Sequence, residues 1–241
     1  KDGGWAPPDI VSTRFATAFS TMNSVVVNAL AHIEMRSGVS FDLRRAFESI
    51  KTRHIHRFLL RLGFSVDVAW VFARLLTYKG RLQRGASCSP TLFNLLLARM
   101  DKRIAEAAGA EEPVFTTRES IERERRRNKR GLVNIWSPWF DEKVYGKRVA
   151  YTRYGDDIFV SFAGDEAPEE LIAKVRSIIL SEGFQVREKK TRTHRNGVLE
   201  LPGAVIVGNV VRPRKSYLIR LARLIATGSL TEEQLRGHLA F

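Results

Sequence analysis

The chain of 241 residues contains a single cysteine, Cys88. One thiol cannot form an internal disulfide, which excludes a disulfide-stapled secreted domain and fits a reducing compartment. Long apolar runs are also missing, since none reaches the length of about 20 residues that a membrane-spanning helix needs, and no signal peptide opens the chain. We therefore expect a cytoplasmic protein without membrane contact. Because the chain begins at Lys1 rather than at a methionine, we also expect a fragment or a processed product.

Acidic residues are scarce relative to basic ones. Lys and Arg together number 40 against 26 Asp and Glu, which gives a formal net charge of +14. This excess favours a polyanionic partner, most simply nucleic acid, because neutralising phosphates releases their counterions. The alternative is a protein that is basic without a polyanionic ligand. The length suffices for one domain with a sizeable core, with or without a small appendage.

Apolar spacing predicts a succession of helices and short strands. Ser89 is predicted as the N-cap of one helix, with Pro90 in its first turn. The helices are expected at about 11–35, 54–63, 66–78, 89–108, 168–183, 216–226 and 231–239. The strands are expected at 39–43, within a hairpin over 151–162, and at 184–187, 198–201 and 205–207. This order predicts an α+β fold in which helices pack on one face of an antiparallel sheet.

The segment 110–147 differs in composition from the rest and is interpreted as an insertion. Charged residues dominate 120–130, and four aromatic residues follow at 136–145. A charge run of this kind is typical of a solvated helix face. The alternative is a nucleic-acid contact with aromatic side chains nearby for stacking, in which Arg125, Arg126 and Arg127 bind phosphates.

Three aspartates are candidates for metal binding. Asp156 and Asp157 lie at the turn of the predicted hairpin, and Asp42 lies near the end of the strand 39–43. Gly155 and two aspartates would also suit a turn without any function, and Asp42 would also suit a helix cap. Carboxylates from two neighbouring strands, however, can hold the two divalent ions that serve nucleotidyl transfer to a 3′-hydroxyl.

Four segments resemble the motifs of reverse transcriptases, in the order of that family. Phe41-Asp-Leu-Arg-Arg-Ala-Phe-Glu-Ser-Ile50 is similar to motif A, and Gly85-Ala-Ser-Cys-Ser-Pro-Thr-Leu-Phe-Asn-Leu95 is similar to motif B. Tyr154-Gly-Asp-Asp157 resembles motif C, and Gly183-Phe-Gln-Val-Arg-Glu-Lys-Lys-Thr191 resembles motif D. Asn28-Ala-Leu-Ala-His32 and the Tyr-Thr-Arg-Tyr run before the aspartate pair look like bacterial retron-type enzymes.

The resemblance covers about residues 24–225 without the insertion and implies a polymerase palm. It divides the chain into residual fingers at 1–36, the first part of the palm at 37–109, the insertion at 110–147, the second part of the palm at 148–211 and the start of a thumb at 212–241. It implies an RNA-directed DNA polymerase that uses two Mg²⁺ ions, with Mn²⁺ as an alternative. Antiphage defence, intron mobility and element replication all use such a core.

The family also implies roles for single residues. Asp42, Asp156 and Asp157 would hold the metals, with the Leu43 carbonyl as a further ligand, and Lys190 would act on the departing pyrophosphate. Phe47 would exclude a ribose 2′-hydroxyl, unless it is an ordinary core residue. Arg84, Gly85 and Ala86 would bind the incoming nucleotide. Asn28, His32 and Tyr154 would contact nucleic acid, although Asn28 and His32 would equally suit satisfied polar positions in the core.

The expected partners are an RNA template, a DNA or RNA primer and dNTPs, with a cognate non-coding RNA or a protein that supplies missing fingers and thumb. The pattern departs from the family at three places. Gln83-Arg84 stands where motif B carries Pro-Gln, Gly155 stands where an alanine is usual, and Leu201-Pro-Gly203 matches only the glycine of a Val-Thr-Gly element. The alternatives are a polymerase that needs no template or makes RNA, and a non-catalytic RNA-binding protein on the same scaffold.

Overall fold

The computed structural model describes residues 14–19, 24–111, 149–208, 210–231 and 234. Nearly all of the expected insertion lies outside these residues, as do Arg125, Arg126 and Arg127 and most of the expected helix 231–239. Of the described helices, none is both long and apolar enough to cross a membrane.

Seven helices and seven strands are named here in chain order. The helices are α1 (Val25–Leu30), α2 (Ala46–Ser49), α3 (Thr52–Arg61), α4 (Val66–Leu75), α5 (Ser89–Ala108), α6 (Glu169–Ser181) and α7 (Lys215–Ala226). The strands are β1 (Ser37–Asp42), β2 (Val149–Tyr154), β3 (Asp157–Phe162), β4 (Arg192–His194), β5 (Val198–Leu201), β6 (Ala204–Val207) and β7 (Val210–Pro213). A short 3-10 helix covers Glu188–Lys190.

Two antiparallel sheets form the β-structure. The first has four strands in the order β2-β3-β1-β4, and the second has three strands in the order β5-β6-β7. β2 and β3 form the expected hairpin, in which Tyr154 pairs with Asp157. β1 runs antiparallel to β3, with Asp42 opposite Asp157. The predicted antiparallel α+β fold is confirmed.

The side chains of the first sheet alternate between two cores, as the period of two in a strand requires. Ile158 and Val160 of β3 pack with residues of α5 and α6 in the larger core. Phe159, between them, packs in a smaller core with Leu199 and Ile206 of the second sheet. We call the side of Ile158 and Val160 the helical face of the sheet, and the side of Asp157 and Phe159 the open face. The expected packing of helices on one face is therefore present.

The long helix predicted for 11–35 is wrong. Among residues 14–19 and 24–35, which the structure describes, α1 is the only helix, and it begins where Ser24 Oγ accepts a hydrogen bond from Val27 N. Phe15 and Thr17 instead run beside β2, because Arg153 N donates to Phe15 O over 2.7 Å and Thr17 N donates to Arg153 O over 2.9 Å. Phe15 is therefore buried by its position beside β2 and not on a helical face.

Smaller corrections concern the ends and number of the elements. The N-cap of α5 is Cys88, so Ser89 is the first helical residue. The strand expected at 184–187 is reduced to one bridge between Leu43 and Val186. β4 and β7 were not predicted.

Candidate active site

Strand pairing brings the three candidate aspartates together at one end of the first sheet. Asp42 ends β1 directly opposite Asp157, the first residue of β3. Asp156 lies in the turn from β2 to β3 after Gly155, whose φ of 66° is the left-handed conformation that this hairpin position favours in glycine. Leu43 N donates to Asp156 O over 2.9 Å and so ties the turn to the end of β1.

Asp157 has a raised proton affinity in this cluster. Burial raises the pKa of the Asp157 carboxyl to about 6, and the negative charges of Asp156 and Asp42 add to this effect. Lys190 and Arg214 lower the same pKa but do not cancel the increase. The carboxylates are thus crowded together at an energetic cost that bound cations would relieve.

Three basic side chains accompany the carboxylates. Lys190 Nζ lies 2.8 Å from Asp42 Oδ2, and Arg187 Nε lies 3.3 Å from Asp42 Oδ1. The Arg187 contact is an ion pair without hydrogen-bond geometry. Asp42 Oδ1 is therefore buried with no hydrogen-bond partner. Arg84 reaches Asp156 Oδ2 at 3.2 Å from an exposed position in the loop before α5.

The donor set fits a hard divalent cation. Asp42 Oδ1 is a buried acceptor without a donor, and all three candidate side chains are carboxylates, the ligands that Mg²⁺ prefers in proteins. Among the described residues, no three His, Cys, Asp or Glu side chains already surround a common point as a metal site. The candidate carboxylates therefore lie at one end of the sheet but do not form a preorganised metal site among the described residues.

A cavity of about 330 Å³ opens beside Asp42 and Asp157 on the open face. Its other charged lining comes from Lys190, Arg192 and Arg214, with Glu200 of the second sheet. Sequence reasoning missed Arg187, which lies within motif D, and Arg192 and Arg214, which follow it; their only signal was the general excess of basic residues in and after motif D.

Phe47 and Arg84 form one wall next to Asp156. The Phe47 ring stacks on Phe93 with a centroid distance of 4.3 Å, and the Arg84 guanidinium lies 5.6 Å from the Phe47 centroid. Phe47 is only 5% exposed, so it is part of the core as well as of this wall. Gly85 has a φ of 91°, and residues 84–88 are exposed, which leaves the Gly85 and Ala86 backbone accessible.

A buried polar network below the aspartate turn was also missed. Arg153 of β2 is fully buried and forms an ion pair with Asp101 of α5, with Nε–Oδ1 at 2.8 Å and Nη2–Oδ2 at 2.9 Å. Arg153 Nη1 donates to Asn94 Oδ1 and to Gly155 O, both over 3.1 Å. Tyr151 donates its hydroxyl to Asp101 Oδ1 over 2.7 Å. The alternation along β2 was the available signal, since it places Arg153 on the same helical face as Tyr151 and so predicts that the arginine is buried.

Asn28 and His32 are both buried, which favours the alternative of polar positions in the core over a nucleic-acid contact. His32 is 0% exposed and makes 2.7 Å hydrogen bonds to Ser161 Oγ and Thr152 Oγ1, and burial lowers its pKa to about 3. Asn28 Oδ1 accepts from Thr17 Oγ1 over 2.8 Å. These residues therefore hold α1 and the N-terminal edge against the hairpin. Tyr154 is half-buried opposite Asp157.

Comparisons with known proteins agree with this geometry. A family model described as "Reverse transcriptase (RNA-dependent DNA polymerase)" matches residues 10–213. The chain is 26% identical over 251 residues to the retron Ec86 reverse transcriptase of Escherichia coli, covering 99% of this chain and 66% of that protein. It is 26% identical over 246 residues to the retron Mx65 reverse transcriptase of Myxococcus xanthus, covering 93% of this chain and 49% of that protein.

The chain thus spans between about half and two thirds of the length of these relatives. Among solved structures, the telomerase of Candida albicans in complex with a fragment of telomeric RNA aligns with a TM-score of 0.51 and 11% identity. That alignment covers 85% of this chain and 35% of the telomerase chain, and it supports the fold alone.

Proposed function

The chain belongs to the reverse transcriptase family, and from this premise we propose that it is an RNA-directed DNA polymerase that adds dNTPs to a 3′-hydroxyl. One observation carries the proposal: the register of β1 and β3 sets Asp42 opposite Asp157, and the adjoining turn brings Asp156 to the same sheet end. A scaffold protein without catalysis would have no reason to crowd carboxylates whose charges raise the Asp157 pKa.

The three aspartates would hold two Mg²⁺ ions, with Mn²⁺ as the alternative and the Leu43 carbonyl as a further ligand. Ions of this kind, when bound, activate a hydroxyl nucleophile and stabilise charge on the reacting phosphate. The buried Asp42 Oδ1, which has no hydrogen-bond donor, supports a ligand role for that atom.

The basic side chains around the aspartates would act on the triphosphate. Lys190 lies 2.8 Å from Asp42 and would protonate or electrostatically stabilise the departing pyrophosphate. Arg84 is exposed beside Asp156 and would bind a phosphate, with the accessible backbone of Gly85 and Ala86 next to it. Phe47, in the wall below Arg84, would set the preference for deoxyribose.

The partners that follow from this proposal are an RNA template, a DNA or RNA primer and dNTPs. Tyr154 and the Arg125, Arg126 and Arg127 run would contact nucleic acid, the latter from the segment 110–147. A cognate non-coding RNA, or a protein that supplies fingers and thumb, is a further partner of this proposal. We also propose a cytoplasmic location, which the single cysteine fits.

The experiment that tests the proposal is incorporation of labelled dNTPs on an RNA template with a DNA primer, with and without Mg²⁺. Asp156→Asn should reduce template-dependent incorporation about a thousandfold, because losing a metal ligand removes about 4 kcal/mol of transition-state stabilisation. The matched control is Asp165→Asn, which removes the same charge from an exposed carboxylate paired with Arg36. The control should retain wild-type activity.

Other outcomes would redirect the assignment. Incorporation without a template, or preferential use of ribonucleotides, would move it to a template-independent or RNA-synthesising polymerase. RNA binding by a wild-type protein that incorporates nothing, unchanged in Asp156→Asn, would make the chain a non-catalytic RNA-binding protein. Equal activity of Asp156→Asn and wild type would refute the metal site.

A further inference from the structure

A second cavity lies between α3, α5 and the residues that follow α6. It has a volume of about 560 Å³, and its lining includes Arg57 and Arg61 of α3, Leu96 and Arg99 of α5, and Phe184. We call this cavity the α3–α5 groove. None of its lining residues lines the cavity beside the aspartates.

The groove lies on the helical side of the first sheet. α3 contributes Ile55 and Leu59 to the larger core, and α5 contributes Leu97 and Met100. This core packs against the helical face of the sheet, whereas Asp157 belongs to the open face by the alternation along β3. A nucleic acid seated at the aspartates on the open face would therefore not fill the groove.

The groove carries positive charge that the described residues do not neutralise. Within the described part of the chain, no carboxylate forms an ion pair with Arg57 or Arg61, and both side chains are exposed. The single acidic residue in the lining, Glu182, pairs with Arg99 at 3.4 Å and with Arg103 at 2.5 Å. Burial lowers the pKa of His54 at the groove, and the charges of Arg53 and Arg57 lower it further.

The spacing of the basic side chains on α3 is regular. Arg53, Arg57 and Arg61 follow one another at every fourth residue, which places them on one helical face about 6 Å apart along the axis. A row of positive charges along one helical face is complementary to the row of phosphates along a nucleic-acid strand, because Lys and Arg contacts to phosphates dominate the affinity for nucleic acid.

We propose that the α3–α5 groove binds the phosphodiester backbone of a nucleic-acid strand outside the catalytic site. Arg57 and Arg61 hold two phosphates, and Arg53 extends the contact beyond the groove. The apolar floor of Ile50, Leu60, Leu96 and Met100 gives the bases or sugars of the strand a surface to pack on. The inference does not depend on polymerisation, because it concerns binding at a separate surface.

The test measures the affinity of the full chain for a labelled single-stranded RNA, and for DNA of the same sequence, across a range of salt concentrations. The double variant Arg57→Gln with Arg61→Gln should weaken binding about tenfold at low salt. The slope of log K against log salt should also fall by about 1.4, that is, by about 0.7 for each lost phosphate contact on a single strand. Comparing the affinities for RNA and for DNA shows which of the two nucleic acids the groove prefers.

The matched control is Arg74→Gln with Lys102→Gln. It removes the same charge from exposed positions on α4 and α5 that do not line the groove. The control should leave the slope within about 0.3 of wild type, and near-UV circular dichroism and melting should show that both double variants are folded.

Equal slopes for the groove and control variants would overturn the proposal. Polyglutamate serves as a further probe. If the groove variant lost the polyglutamate binding of wild type but kept its RNA and DNA binding, the proposal would be overturned in favour of an acidic protein partner. If the salt slope fell in the groove variant while the wild-type protein extended no primer, the groove proposal would be upheld and the polymerase proposal refuted. Failure of one proposal can therefore be told from failure of the other.

Discussion

Removing the carboxylate of Asp101 should strongly destabilise the chain. Asp101 and Arg153 are both fully buried, and the guanidinium makes two hydrogen bonds to the carboxylate, at 2.8 and 2.9 Å. Asp101→Asn leaves the Arg153 charge uncompensated in the core, which costs about 3–5 kcal/mol. A domain of this kind is stable by about 5–15 kcal/mol in total, so the loss should lower the melting temperature by about 10 °C.

The assay is equilibrium unfolding in urea, followed by tryptophan fluorescence and far-UV circular dichroism. Glu182→Gln is the matched control. Glu182 pairs with Arg103, which lies on α5 like Asp101 but is partly exposed. A pair with such exposure contributes about 1 kcal/mol or less. Asp101→Asn should therefore lose several times more stability than Glu182→Gln.

A third variant separates charge burial from packing. Arg153→Met with Asp101→Leu and Tyr151→Phe removes both charges and the hydroxyl that donates to Asp101. Replacing a buried ion pair by apolar side chains of similar volume is often neutral. Asn94 Oδ1 and Gly155 O also lose the donor Arg153 in this variant, so it should be more stable than Asp101→Asn but less stable than wild type. If Asp101→Asn lost less than about 1 kcal/mol, or if the triple variant were no more stable than Asp101→Asn, the reasoning would be refuted.

Two further predictions concern Phe47 and His32. Phe47→Ala should raise the use of ribonucleotides relative to deoxynucleotides in the primer-extension assay, with Phe93→Leu as a core control; an unchanged preference would contradict the assignment. His32 has its folded pKa lowered from 6.5 to about 3, so its contribution to stability is complete above pH 6.5 and declines as the pH falls towards 3. Wild type should lose about 2 kcal/mol more than His32→Gln between pH 7 and pH 5 in urea unfolding; parallel pH profiles would show that His32 is not held neutral.

The features of the fold that could be predicted from the sequence are those that a local pattern determines. The hairpin followed from β-rich runs on either side of Gly155, and the aspartate positions then followed from strand pairing. α5 followed from its apolar period and from Pro90 in the first turn, and only its N-cap was displaced by one residue. β5 covers the expected residues, and α7 begins one residue before its expected start.

The missed features depend on contacts between distant parts of the chain. The stretch 15–17 is extended because it pairs with Arg153 of β2, and no local pattern shows that partner. Asp101 lies in the middle of α5, and a carboxylate there normally faces solvent. Asp101 is buried instead because it pairs with Arg153 on the helical face of the first sheet. Asn28 and His32 are buried for the same kind of reason. Thr17 donates to Asn28 Oδ1, and Thr152 and Ser161 hydrogen-bond to the two ring nitrogens of His32.

The pairing of Asp42 with Asp157 restricts how this protein can change during evolution. Side chains alternate along β1, so the gain or loss of one residue between Ser37 and Asp42 would turn Asp42 towards the helical face. The same step within β3 would turn Asp157 away from Asp42. Variation in these strands must therefore proceed by exchange of residues at constant length, and strand length becomes as much an inherited property of the site as the carboxylates themselves.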